Sequence, residues 1–149
     1  MSEDKARRVL LERLSKGRYR VENVRGGSIT VGTGEDDDFT PVELLLAAIG
    51  GCSAIDVDFI TSKRAEPDSF EVVVGGDKIR DELGNRMENL VLGFAVRFPE
   101  GEAGDAARAV LPRAVEQSHD RLCTVSRTVE IATPIAIRIE DAAGAGGTG

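Results

Sequence analysis

The chain has 149 residues, 41% hydrophobic and 30% charged, with 19 basic against 26 acidic side chains for a net charge of −7. That length suits one domain with a proper core, and so acidic a balance argues against holding nucleic acid or an anionic membrane by the general field of the protein. Aromatic residues are scarce and tryptophan is absent, which disfavours a base-stacking surface.

Two cysteines 71 positions apart do not make a secreted disulfide framework. One histidine and no C-x-x-C leave no Cys/His zinc site within one chain, so neither metal nor cofactor is expected. Redox or nucleophilic chemistry is what remains open to these thiols. Residues 1–14 are too charged for a signal peptide, and the expected location is cytoplasmic.

In chain order, residues 7–14 are ambiguous between a short helix and a strand. Arg18 to Val24 alternates polar and apolar and reads as a strand. Arg25-Gly26-Gly27 is its turn and Ser28-Ile29-Thr30-Val31 the returning strand. A loop with four consecutive acids, 35–38, follows. It reads as solvated, since the alternating ligands and glycine of an EF-hand loop are missing.

The longest apolar run begins at Pro41. Thr40 as N-cap, proline at the first helical position and Glu43 three residues after the cap spell a capping box. From Leu44 the run is apolar on nearly every face, which predicts a buried central helix reaching about Arg64. It is too short before its first charge, Asp56, to span a bilayer, which needs ~20 apolar residues. Residues 70–80 and 90–98 read as two long strands, with a bulge or turn at Gly75-Gly76 and a hairpin turn at 81–85. A second helix is expected from Asp105 as N-cap to about Gln117, kinked or delayed by Pro112. His119-Asp120 reads as a break, 121–127 as a short helix and 134–139 as a final strand. Residues 1–140 form the single domain, of α+β class, and the Gly/Ala-rich 141–149 a disordered tail.

Cys52 lies partway along the apolar helix. A cysteine there is ordinarily a small inert hydrophobe. Gly50 and Gly51 beside it point the other way: each costs ~1 kcal/mol against alanine in a helix, as if another backbone or a ligand approached closely. Asp56 lies one turn on and would raise the thiol's pKa, so a reactive Cys52 needs an arginine nearby. Cys123 is surrounded by His119, Asp120, Arg121 and Arg127. His119 four positions earlier either pairs with it, if the helix is continuous, or belongs to a helix cap. Arg25 occupies the hairpin tip, where it is either a solvated turn residue or a guanidinium aimed by the glycines beside it.

The run P-x-E-L-L-L-A-A-x-G-G-C-S-A-I-D, here 41–56, resembles the signature of the osmotically inducible protein C family, which includes the organic hydroperoxide resistance proteins. Leu122-Cys123-Thr124-Val125-Ser126-Arg127 is similar to that family's second cysteine segment, and Asn23-x-Arg25-Gly26-Gly27 to its arginine-bearing hairpin. The resemblance covers roughly residues 17–140. It implies an OsmC-like α+β fold, antiparallel sheets on a central buried helix, in an intertwined homodimer with two active sites at the subunit interface.

It also implies a thiol peroxidase acting on organic hydroperoxides and on hydrogen peroxide. Cys52 would be the peroxidatic thiolate, forming a sulfenic acid that Cys123 resolves as a disulfide. A lipoylated protein or a small thiol would be the reductant, and Arg25, with Arg18 and Arg20 as substitutes, the cation beside Cys52. In the best-studied branches the glutamate that orients the arginine directly follows the proline. Val42 stands there in this chain, and the acid is Glu43, as in the OsmC-like branch. At about 100° per residue, Glu43 falls roughly opposite Cys52 on an unbroken helix. Either Glu43 only caps the helix, or the arginine pairs differently, with Asp56 as one partner. The alternative from another class is a dimer that binds a small apolar ligand, its thiols sensing or incidental.

Overall fold

A computed structural model describes residues 5–140. The expected tail, 141–149, lies outside them. The fold is α+β, with two antiparallel sheets and three α-helices.

The first sheet is the meander β1 (Val9–Ser15), β2 (Arg18–Asn23) and β3 (Ser28–Val31). The segment left open between helix and strand is thus a strand, paired with β2 from Val9 opposite Asn23 to Ser15 opposite Arg18. Asn23 builds the β2–β3 turn: its side-chain oxygen accepts from the amides of Arg25 at 2.9 Å and Gly27 at 3.1 Å. Gly26 takes φ 93°, a conformation that favours glycine. In the acidic loop, Arg18 bonds Asp38 at 2.7 Å and Asp36 at 3.3 Å. Among the described residues no cluster of His, Cys, Asp and Glu could hold a metal.

The central helix, α1 (Pro41–Thr61), starts as its sequence requires. Glu43 N–H donates to Thr40 Oγ1 at 3.2 Å, and Thr40 N–H donates to Glu43 Oε1 at 2.8 Å. It ends at Thr61, short of the expected Arg64. Lys63 and Arg64 fall in the following turn, and no basic residue occupies the last helical turn.

The expectation of an all-round buried helix is corrected. One stripe is buried within the chain, formed by Ile49, Gly50, Ser53, Val57 and Thr61. The opposite stripe, with Gly51, Ile55 (56% exposed) and Phe59 (71%), faces out. By length and composition alone α1 could cross a membrane, but its buried stripe packs against β4, α2 and α3.

The second sheet is the hairpin β4 (Ser69–Asp81) and β5 (Gly84–Arg97), with a bulge between Gly75 and Asp77. β5 starts earlier than its apolar run, because Asp81 accepts from the amides of Leu83 and Gly84 and closes a tight turn. Next comes α2 (Glu102–Gln117). Its N-cap is Gly101; Asp105 lies inside the first turn and pairs with Arg108 at 2.7 Å. Pro112 neither delays nor ends it. Instead of a break, Ser118–Leu122 continues as a π-turn, and α3 (Thr124–Glu130) begins directly after Cys123. Residues 134–139, expected as a strand, have no regular structure.

Gly50 explains how closely the hairpin lies on α1. A Cβ there would stand 2.7 Å from Val74 Cγ2, whereas one at Gly51 would meet nothing within 4 Å. Valine has little rotamer freedom with which to yield. Gly50→Ala is expected to destabilise the fold by ~1–3 kcal/mol despite alanine's better helix propensity, read as a lower urea midpoint. An unchanged or raised midpoint would contradict this packing.

Candidate functional site

The two cysteines meet where α1 passes the start of α3. Cys52 is half-buried on α1, and Cys123, 0% exposed, is the N-cap of α3. The π-turn makes this possible. Its wider winding lets Cys123 N–H donate to Ser118 O at 2.8 Å, and the backbone then becomes extended at Cys123, φ −73° and ψ 99°. Helix α3 therefore begins with its unpaired amides turned toward the sulfurs. Ser126 N–H donates to Cys123 Sγ at 3.3 Å, so the thiol does the work of a serine or threonine cap. The amides of Val125 and Thr124 serve Cys52.

Two buried hydroxyls complete the shell. Ser126 Oγ lies 3.2 Å from Cys123 Sγ, and the Ser53 hydroxyl donates to the same sulfur. Both cysteines are free, and the two sulfurs lie near enough to shift each other's titration. Burial alone would push the Cys123 thiol up. The Ser126 and Ser53 hydroxyls, the Ser126 amide and Cys52 outweigh it and hold Cys123 below the ordinary thiol value. Cys52 is pushed up, first by burial and then by the adjacent Cys123, against the pull of the two amides. Each sulfur thus bears on the proton of the other, with Cys123 shifted down and Cys52 up.

None of the expected arginines is among the groups that act on either sulfur. Arg18 is taken by Asp36 and Asp38, and Arg20 by Glu12 at 2.6 Å and Glu22 at 3.0 Å. Arg25 is exposed at its hairpin tip. Of the two readings of Glu43, the geometry shows the cap. Asp56 accepts from Ser118 Oγ at 2.9 Å, not from an arginine. His119 does not pair with Cys123. Its ring bonds Asp120 at 3.1 Å and Glu130 at 2.9 Å, because the π-turn rotates it off the cysteine's face. Ser53 and Ser126 were missed by sequence reasoning, although Ser53 adjoins one cysteine and Ser126 stands at the spacing of a capping partner to the other.

Behind the serines opens a cavity of about 510 Å³, lined mainly by apolar side chains including Ile49, Leu92, Phe94 and Val129. Ser53 and Ser126 lie on its wall, together with His119 and Glu130.

Fold and site define a class: an α+β protein with a preassembled dithiol between its central helix and a second cysteine-capped helix. The family model for OsmC-like proteins matches residues 34–138, and the chain belongs to that family. Protein YhfA of Escherichia coli K12 is 33% identical over 116 residues, covering 76% of this chain and 82% of YhfA. A hypothetical protein from Aquifex aeolicus superposes with a TM-score of 0.69 at 24% identity, covering 92% of this chain and 99% of its own. The organic hydroperoxide resistance protein OhrB of Bacillus subtilis superposes with a TM-score of 0.56 at 14% identity, covering 83% and 90%. Both structures share the fold, and neither identity carries more than that.

Two outcomes follow from the charges. In Cys123→Ser the alkylation midpoint of Cys52 should fall, because the neighbouring sulfur anion that raises it is gone. A rise, followed with iodoacetamide against pH, would refute the shared-proton arrangement. His119 is raised, first by Asp120 and then by Glu130. Its folded pKa above the unfolded one means a contribution complete below about pH 6.5 and lost as pH climbs through the folded value. The group is more than half exposed, so the effect is small. His119→Gln should lower the urea midpoint at pH 5.5 more than at pH 8.5.

Proposed function

We propose that this protein is a cysteine-based thiol peroxidase that reduces organic hydroperoxides, and hydrogen peroxide, without a cofactor. The observation that carries the reading is the nearness of two free cysteines 71 positions apart, each shifting the other's titration. The half-exposed Cys52 thiolate attacks the outer peroxide oxygen. The O–O bond breaks, the alkoxide takes a proton to leave as alcohol, and Cys52 becomes a sulfenic acid. Cys123 then closes the disulfide, and a dithiol, a lipoylated protein or a small thiol, reduces it.

The working unit of this proposal is a cytoplasmic homodimer. Support comes from apolar surface left uncovered by one chain. Every residue of β1 is exposed, including Val9, Leu10, Leu11 and Leu14. Alternate strand residues face opposite sides, so β1 is open on both. Ile135, Ile137 and Ile139, 86%, 87% and 99% exposed, have strand spacing and no strand to join. A second copy offers cover for these and for the outer stripe of α1.

A second reading, a dimer that binds a small apolar ligand, draws on the 510 Å³ cavity. Counting thiols before and after one equivalent of an alkyl hydroperoxide separates the two. Two thiols lost, with a Cys52–Cys123 peptide link by mass spectrometry and no loss in Cys52→Ser, fits the peroxidase. Unchanged thiols in the wild type leave only the binder.

A further inference from the structure

Ser53 and Ser126 are 2% and 7% exposed, on different helices, and both set a hydroxyl beside one atom, Cys123 Sγ, whose thiol donates to Ser126 Oγ at 3.2 Å. A buried hydroxyl must find a partner, but a sulfur is a weak acceptor while it is a thiol and a good one as an anion. Fully buried, Cys123 has no water to solvate that anion. The serines and the Ser126 amide take the place of water.

We propose that Ser53 and Ser126 are positioning residues for disulfide closure, their hydroxyls holding the Cys123 sulfur as the attacking group. The inference rests on the peroxidase reading for its oxidant. In that cycle the Cys123 thiolate donates its electron pair to the sulfur of the Cys52 sulfenic acid. The S–S bond forms, the S–O bond breaks, and hydroxide leaves and takes a solvent proton to become water. Closure speed follows the thiolate fraction and alignment of the attacking sulfur. The first step, at Cys52, does not touch either hydroxyl.

The test follows closure by two routes in wild type, Ser53→Ala, Ser126→Ala, the double variant and Ser126→Thr. In one, Cys52 is converted to its mixed disulfide with 5-thio-2-nitrobenzoate, and Cys123 displaces the chromophoric thiolate as it closes. In the other, one equivalent of tert-butyl hydroperoxide is added and sulfenic acid is trapped with dimedone. Each alanine should slow release of the chromophore by roughly tenfold, the rate equivalent of about one hydrogen bond. In the peroxide arm sulfenic acid should form no more slowly than in wild type and accumulate, and Ser126→Thr, which keeps the hydroxyl, should close near the wild-type rate. Closure at the wild-type rate in the double variant overturns the proposal. So does a parallel fall of sulfenic acid formation and closure, which marks a purely structural role. Should wild type ignore the peroxide, the peroxidase reading fails, and chromophore release still decides the serines.

Discussion

The site depends on one constraint: a sulfur anion inside a protein needs donors, and here they come from the unpaired first-turn amides of a helix. Any α-helix leaves its first N–H groups without intrahelical partners. In α3 the amides of Thr124, Val125 and Ser126 are divided between the two cysteines. Two serine hydroxyls add to them at Cys123. Backbone donors are fixed by the fold and need no flexible side chain to be held in place. They supply partial charge only, and their effect on the pair is unequal: Cys123 is shifted down and Cys52 up.

That division has a chemical consequence. Cys52 lies on the accessible side, and within one chain its thiol is pushed up. Cys123 is shifted down and has no surface open to solvent. Full positive charge near Cys52 would move the proton the other way. The acids that occupy Arg18 and Arg20 rule both out as they stand.

How much of this the residues announced follows their physical range. The capping box at Thr40 and Glu43, the hairpins and the family signature are local patterns, and they read correctly. The glycines announced a backbone or a ligand; Gly50 instead gives room to the Val74 side chain, and Gly51 meets nothing within 4 Å. Pattern failed where a neighbour decided the outcome. Helix periodicity cannot say whether the outer stripe of α1 is covered, nor can alternation give the strand pattern at 134–139 a partner. The π-turn was invisible because it is a change of winding within residues of ordinary helix propensity. It alone moved His119 away from Cys123 and turned Cys123 into a cap. Ser53 and Ser126 escaped notice because a serine beside a cysteine carries no signal until the two helices are brought together.

The displacement of the acid from Val42 to Glu43 ties these observations into one argument. A glutamate engaged in a capping box has one oxygen fixed on the Thr40 amide and points along the helix entrance, away from the cysteine's side. It therefore secures α1. At the dithiol the donors within the chain do not depend on an arginine: they are the amides of α3 and the hydroxyls of Ser53 and Ser126. On this view the P-x-E form of the motif and the serine-lined Cys123 are parts of the same arrangement, in which the start of one helix is held by its own acid and the start of the other by its own sulfur.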